Sequence, residues 1–277
     1  MRLGVRLGSA AVLLGLVALV LVLRGPLLDA VAAAAVVVAC WEFSGLMRRI
    51  GAEPLPWLLY PLALFLLLRH AYPAGWPTLD YALSGAVVIG LVGSIVMPPR
   101  EPSARRLTSW AAAAGGALYL GLTLGYLLLL LNSPVVVTGH AHAFQWLVAI
   151  ALGSAMVGDS AALFIGSALG RHPFFPSISP RKTAEGAAAS LAGTVLTWAI
   201  AAPPLTGIPV PHAILLGIVV SVAAMGGDLV ESALKRAAGE KDSSALIPGH
   251  GGLLDRLDAL LLIGPVVYAY VVVTGLP

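Results

Sequence analysis

The chain has 277 residues, of which 59% are hydrophobic and only 10% charged, and its mean hydropathy is +0.94. No soluble domain of this size tolerates such a surface. The formal net charge of +3 is too small to argue for nucleic acid and suits anionic lipid headgroups, while the single cysteine, Cys40, excludes an intramolecular disulfide and reads as a small buried hydrophobe.

What remains is an all-α, polytopic integral membrane protein. Apolar runs of about 20 residues match a hydrocarbon layer of about 30 Å at 1.5 Å per helical residue, and are about twice the length of a barrel strand. Nine spans are predicted, near 8–24, 27–47, 56–70, 79–97, 107–131, 143–169, 185–202, 211–234 and 256–275. The first has the basic start and apolar run of a signal peptide, and Ala30 to Ala35 mimics a cleavage region. It is read as an uncleaved helix, because removing it would leave the alternation of basic loops without an inside start. In the next spans Ala111 to Ala114, Gly115, Gly116, Gly121 and Gly125 form small-residue faces that suit close helix packing in lipid. Trp57, Trp76 and Trp146 fall near span ends and read as interfacial anchors.

Basic residues orient the chain, since cytoplasmic loops collect Lys and Arg. With the N-terminus inside, 14 of the 16 fall on the cytoplasmic side: Arg2, Arg6, Arg48, Arg49, Arg100, Arg105, Arg106, Arg171, Arg181, Lys182, Lys235, Arg236, Lys241 and Arg256. Only Arg24 and Arg69 fall outside. The C-terminus is then outside. Outside loops hold His140, His142 and His212, and the His-x-His pair, with no third ligand in sight, reads as a polar interfacial pair.

The acids divide the chain into two parts. Residues 1–131 carry only Asp29, Glu42, Glu53, Asp80 and Glu101 and read as a scaffold for lipid and oligomer contacts; 132–277 carry Asp159, Glu185, Asp228, Glu231, Glu240, Asp242, Asp255 and Asp258 and are expected to hold the site. Intramembrane charge at a helix centre costs roughly 2.5–3.5 kcal/mol per residue, so such clusters persist where they pair, face water or do chemistry. Asp228, Glu231, Ser232 and Lys235 are spaced to share one helix face, and Asp255 and Asp258 share another. Between them lie Lys241, Asp242, His250, Gly251 and Gly252. Glycine amides and the following helix N-terminus suit phosphate, and carboxylates amid Lys and Arg suit Mg²⁺ with a polyphosphate.

A second inside loop, Ser177 to Gly186, holds Pro180, which keeps the chain out of a helix, and Ser179, Lys182 and Thr183, which can donate to phosphate oxygens. Glu185 stands at the start of the next helix, where an acid is favoured. Gly-Asp pairs recur at Gly158-Asp159 and Gly227-Asp228.

Residues 232–258, with Ser232, Lys235-Arg236, Lys241-Asp242, His250-Gly251-Gly252, Asp255-Arg256 and Asp258, resemble position by position the signature of the phosphatidate cytidylyltransferases (CDP-diacylglycerol synthases). Ser179 to Gly186 resembles that family's second motif, and Gly158-Asp159-Ser160 its Asp-Thr/Ser element. Residues 150–260 carry the likeness. Leu163 and Gly166-Ser167 depart from the family's aromatic and Gly-basic pair, with Arg171 a candidate substitute, so the roles of Ser167 and Arg171 stay open.

The resemblance implies that CTP and phosphatidic acid give CDP-diacylglycerol and pyrophosphate with Mg²⁺, the lipid phosphate attacking the CTP α-phosphorus in line. The number of metal ions and any added monovalent ion stay open. It implies metal binding by Asp228 and Asp255, then by Asp258 and Asp159, and catalytic roles for Asp228, Asp255, Lys235, Arg236 and His250. Ser179, Lys182, Glu185, Ser232, Lys241, Asp242, Gly251, Gly252 and Arg256 are the implied substrate contacts. The expected setting is the cytoplasmic (inner) membrane, with the site facing the cytoplasm, no nucleic acid partner, and a homodimer among the oligomeric options. Two other readings remain: a CTP-dependent kinase of a polyprenol or phytol, and an ion-coupled transporter using Asp159, Asp228 and Glu231. No Asp-Gly-x-x-Ala-Arg element is present, which disfavours a CDP-alcohol phosphatidyltransferase.

Overall fold

A computed structural model describes residues 25–69, 103–132, 142–249 and 251–274, together with positions 15, 88 and 92. The described residues are helical with short connections, and six of the helices are long and apolar enough to cross a membrane. The protein is an all-α, multi-pass membrane protein. Apart from positions 15, 88 and 92, the spans expected at 8–24 and 79–97 lie outside the described residues, as do Trp76 and His140.

In chain order the helices are α1 (Pro26–Ile50), α2 (Pro56–Leu68), α3 (Ser103–Ala117), α4 (Thr123–Leu131), α5 (Ala143–Leu169), α6 (Ala184–Thr206), α7 (Val210–Ala237) and α8 (Leu254–Thr274). α3 runs into α4 through a π-helical stretch, Leu118–Leu122, so the two form one span. The chain divides into two compact units: Met1–Leu128 with Leu234–Arg256, and Leu129–Ala233 with Leu257–Pro277.

In the first unit, α1 opens with Pro26, whose fixed φ and missing N–H suit a first turn. It closes at Gly51, whose φ of 92° is the left-handed cap conformation, and Arg48 and Arg49 sit on the negative end of its dipole. Of the glycines expected to pack, Gly116, Gly121 and Gly125 do, whereas Gly115 is exposed with nothing within 4 Å of a Cβ. A Cβ on Gly121 would overlap the Ala63 backbone, and one on Gly125 would crowd Leu66 O at 2.7 Å, so α2 and the α3–α4 span meet backbone to backbone. Cys40 is fully buried.

In the second unit, α6 begins two-sidedly defined. Thr183 is its N-cap, with Oγ1 accepting from Gly186 N at 3.2 Å. Its far end runs past the expected stop at residue 202 through Pro203 and Pro204 to Thr206. The Thr206 hydroxyl donates to Ala202 O at 2.7 Å, and Gly207, with φ 73°, closes the last turn on Pro203 O at 3.0 Å. Prolines are tolerated in membrane helices where such groups re-satisfy the backbone. In the core, Trp198 Nε1 donates to Ser154 Oγ at 3.1 Å. Outward-facing Phe164, Ile200 and Val273 are 70%, 73% and 84% exposed, a surface that suits lipid.

Candidate functional site

The second unit holds a cavity of about 420 Å³ whose lining includes Asp159, Arg181, Lys182, Asp228 and Asp258, with an apolar wall formed by Leu163, Phe174 and Leu229. The two Gly-Asp pairs build it by the same device. A Cβ on Gly158 would stand 2.7 Å from Ser190 Oγ and 2.8 Å from Thr194 Oγ1 of α6, and one on Gly227 would overlap the Asp258 carbonyl of α8. Each glycine lets a neighbouring helix come close, and the aspartate that follows it then lines the cavity.

Asp228 is held on both carboxylate oxygens. Its Oδ2 takes an ion pair from Lys182 Nζ, and its Oδ1 accepts from Ser232 Oγ one helical turn on, at 3.2 Å. With Lys182 and Asp228 30% and 35% exposed, the pair is open to solvent and to exchange with a ligand. The loop that delivers Lys182 is fixed at its base by Phe174 N to Lys182 O (2.8 Å) and Ala184 N to His172 O (2.9 Å). Glu185 serves this loop: its carboxylate accepts from the N–H groups of Arg171 (3.1 Å) and His172 (3.3 Å) and stands 2.5 Å from His172 Nδ1. Ser179 takes part through its backbone, donating to Phe175 O and accepting from Lys182 N. Ser167 joins the cavity lining, whereas the main chain of Arg171 is what Glu185 holds.

The first unit organises the other half of the motif. Asp255 is 8% exposed and is surrounded by donors: Lys235 Nζ at 2.7 Å on Oδ1, and Ser243 N (2.9 Å), Ser243 Oγ (2.9 Å) and Gly252 N (2.7 Å) on Oδ2. Glu42 of α1, 2% exposed, accepts from Leu253 N (2.9 Å), Leu254 N (2.6 Å) and Ser244 Oγ (2.6 Å), and lies 3.3 Å from Ser243 Oγ. These bonds explain the Gly-Gly pair. Gly251 has φ 79°, where a Cβ would also press on Asp255 Oδ2 at 2.5 Å, and a Cβ on Gly252 would overlap Ser243 Oγ and Glu42 Oε1. The amides of Gly252, Leu253 and Leu254, expected to face phosphate, donate to carboxylates in this structure.

Lys241 and Asp242 line a separate cavity of about 430 Å³ in this unit with Trp41, Arg48 and Arg49. Arg49 pairs with Glu240 at 2.5 Å, and Arg236 donates to Glu240 O at 3.0 Å. Arg256 is exposed on the first turn of α8. His250 lies outside the described residues. Along α7 the expected shared face thus serves both units: Asp228 meets Lys182 in one, and Lys235 meets Asp255 in the other. Glu42, Ser243 and Ser244 were not among the expected site residues. An acid inside an apolar span is itself the signal that could have flagged Glu42.

The cytidylyltransferase family model matches residues 4–274. The chain belongs to the cytidylyltransferase family. Among its relatives, phosphatidate cytidylyltransferase of Bacillus subtilis is 38% identical over 154 residues, covering 55% of this chain and 54% of that protein. Phosphatidate cytidylyltransferase 5, chloroplastic, of Arabidopsis thaliana is 39% identical over 145 residues, covering 51% of this chain and 36% of the plant protein. The Mycobacterium bovis phosphatidate cytidylyltransferase is 39% identical over 139 residues, 50% of this chain and 43% of its own length. The matches thus span about half or less of those relatives' own length.

Proposed function

We propose that this protein transfers the cytidylyl group of CTP to phosphatidic acid, releasing pyrophosphate and leaving CDP-diacylglycerol in the membrane. The observation that carries the proposal is the second unit's cavity: three aspartates and two cations beside an apolar wall, in a chain of the cytidylyltransferase family. A lipid phosphate needs both kinds of surface. Its acyl chains favour Leu163, Phe174 and Leu229, while its headgroup favours Lys182 and Arg181. The phosphate oxygen is itself the nucleophile, so no nucleophilic side chain is required, and the chain's task is to position two anions and offset their repulsion.

The donor set fits Mg²⁺. Asp159, Asp228 and Asp258 offer only hard oxygen ligands. Mg²⁺ favours such ligands and completes its shell with water and substrate phosphates. When bound, Mg²⁺ supplies positive charge to the triphosphate. In this reading Asp228 is the principal ligand, with Asp159 and Asp258 beside it, and Lys182 passes from Asp228 to a substrate phosphate. Ser232 orients Asp228. From the motif, Arg236, Lys241 and Arg256 are proposed phosphate contacts, while Lys235 and Asp255, with His250, Gly251, Gly252 and Asp242, shape the loop that carries them. The setting proposed is the cytoplasmic membrane with the site on the cytoplasmic side, from the distribution of basic residues.

Purified protein in detergent, supplied with α-labelled CTP, tests this. Label should enter the lipid phase, with pyrophosphate released, only when phosphatidic acid and Mg²⁺ are both present. Movement of γ-label into a polyprenol would instead establish a lipid kinase.

A further inference from the structure

We infer that Glu42, on α1 and about 200 residues away in sequence from the loop it holds, is a positioning residue for the Ser243–Gly252 loop and sets that loop's working shape. Four observations in the first unit carry this. Its carboxylate is 2% exposed in a helix long and apolar enough to cross the membrane, a location where an acid is retained only for a use. Both of its oxygens receive backbone N–H groups at the start of α8, Leu253 at 2.9 Å and Leu254 at 2.6 Å. These are orphan donors that every helix start must satisfy, and the dipole there favours negative charge. The same carboxylate accepts from Ser244 Oγ at 2.6 Å and stands 3.3 Å from Ser243 Oγ, and Ser243 in turn donates to Asp255. Lastly, Gly252 has no room for a Cβ because Ser243 Oγ and the Glu42 carboxylate occupy that space.

Glu42 and Asp255 therefore hold neighbouring parts of the same loop. Asp255 gathers Ser243 N, Gly252 N and Lys235, all within the C-terminal motif. Glu42 gathers the next two amides and Ser244 from a helix in the N-terminal part of the chain. The loop's shape depends on both. Losing Glu42 leaves Leu253 N and Leu254 N without acceptors, frees Ser244, and lets the loop sample other shapes while the cavity in the second unit keeps its own contacts.

The activity arm of the test rests on the proposed cytidylyl transfer; the exchange arm does not. Glu42→Gln keeps one acceptor oxygen and the side-chain length, and Glu42→Ala keeps neither. Asp29→Asn, on the same helix, is the control. Amide hydrogen exchange of the full-length protein in detergent is expected to speed up about tenfold or more over 243–254 in Glu42→Gln and further in Glu42→Ala, as loss of a hydrogen bond to a charged group implies. Exchange over α6 should not change. For cytidylyl transfer, kcat should fall about tenfold or more while KM for CTP changes little, with Glu42→Gln intermediate, because a misplaced loop loses transition-state alignment rather than ground-state binding. Wild-type exchange over 243–254 in both variants would overturn the inference, whatever the activity. So would faster exchange with unchanged kcat in a wild-type enzyme that turns over. If the wild-type protein shows no cytidylyl transfer, the proposed function fails and the exchange result alone decides the role of Glu42.

Discussion

The two units handle their carboxylates in opposite ways. In the first, Asp255 and Glu42 are nearly sealed from solvent and spend their oxygens on backbone amides, serines and Lys235. In the second, Asp228 is 35% exposed and shares a roomy cavity with Asp159, Asp258 and Lys182. A sealed, bonded carboxylate shapes the chain; an open one in a solvent-exposed ion pair can trade partners. Within the C-terminal motif, Asp255 thus builds a loop while Asp258 lines the cavity.

The contrast can be broken at either end, and the largest effect is expected in the sealed unit. Lys235→Met leaves Asp255 buried without its cation, and breaking such a pair costs about 3–5 kcal/mol, so thermal unfolding of the detergent-solubilised protein should shift sharply downward. An unshifted melting temperature would show that the Lys235–Asp255 pair, 13% and 4% exposed, is not structural. Next comes Asp228→Asn, expected to lower kcat by about 10²–10³, the scale of losing one preorganised electrostatic contact, with little change in melting temperature. Gly252→Ala follows at about 1–3 kcal/mol of destabilisation, since the added methyl must displace Ser243 or Glu42. The smallest is the stability effect of Lys182→Met, within about 1 kcal/mol because the pair is solvent-screened. Its turnover should nevertheless drop, and normal turnover would remove Lys182 from the proposed phosphate contacts.

The sequence made the helices easy to see and their ends hard. Long apolar runs put α5 at 143–169, the bounds the structure has, because lipid-spanning length and hydropathy are local properties. α8 begins at Leu254 rather than 256 because its first amides are capped by Glu42, a partner about 200 residues away that no local pattern reveals. α6 outruns its proline pair because Thr206 and Gly207 mend the backbone beyond it. In the site, Gly158-Asp159 and Gly227-Asp228 were legible as a repeated pair, yet the reason for each glycine appears only when the neighbouring helix is seen. Ser243 and Ser244 carried no signal of their own, since serines beside a charged loop are ordinary. What they bind makes them matter.

The central claim is that the open cavity serves a lipid phosphate and a cytidine nucleotide together. Product analysis with α-labelled CTP, phosphatidic acid in mixed micelles and Mg²⁺ tests it most directly. The expected result is labelled CDP-diacylglycerol and equimolar pyrophosphate, lost when either phosphatidic acid or Mg²⁺ is omitted and strongly reduced in Asp228→Asn. Lipid-independent CTP hydrolysis, or full activity in Asp228→Asn, would contradict it.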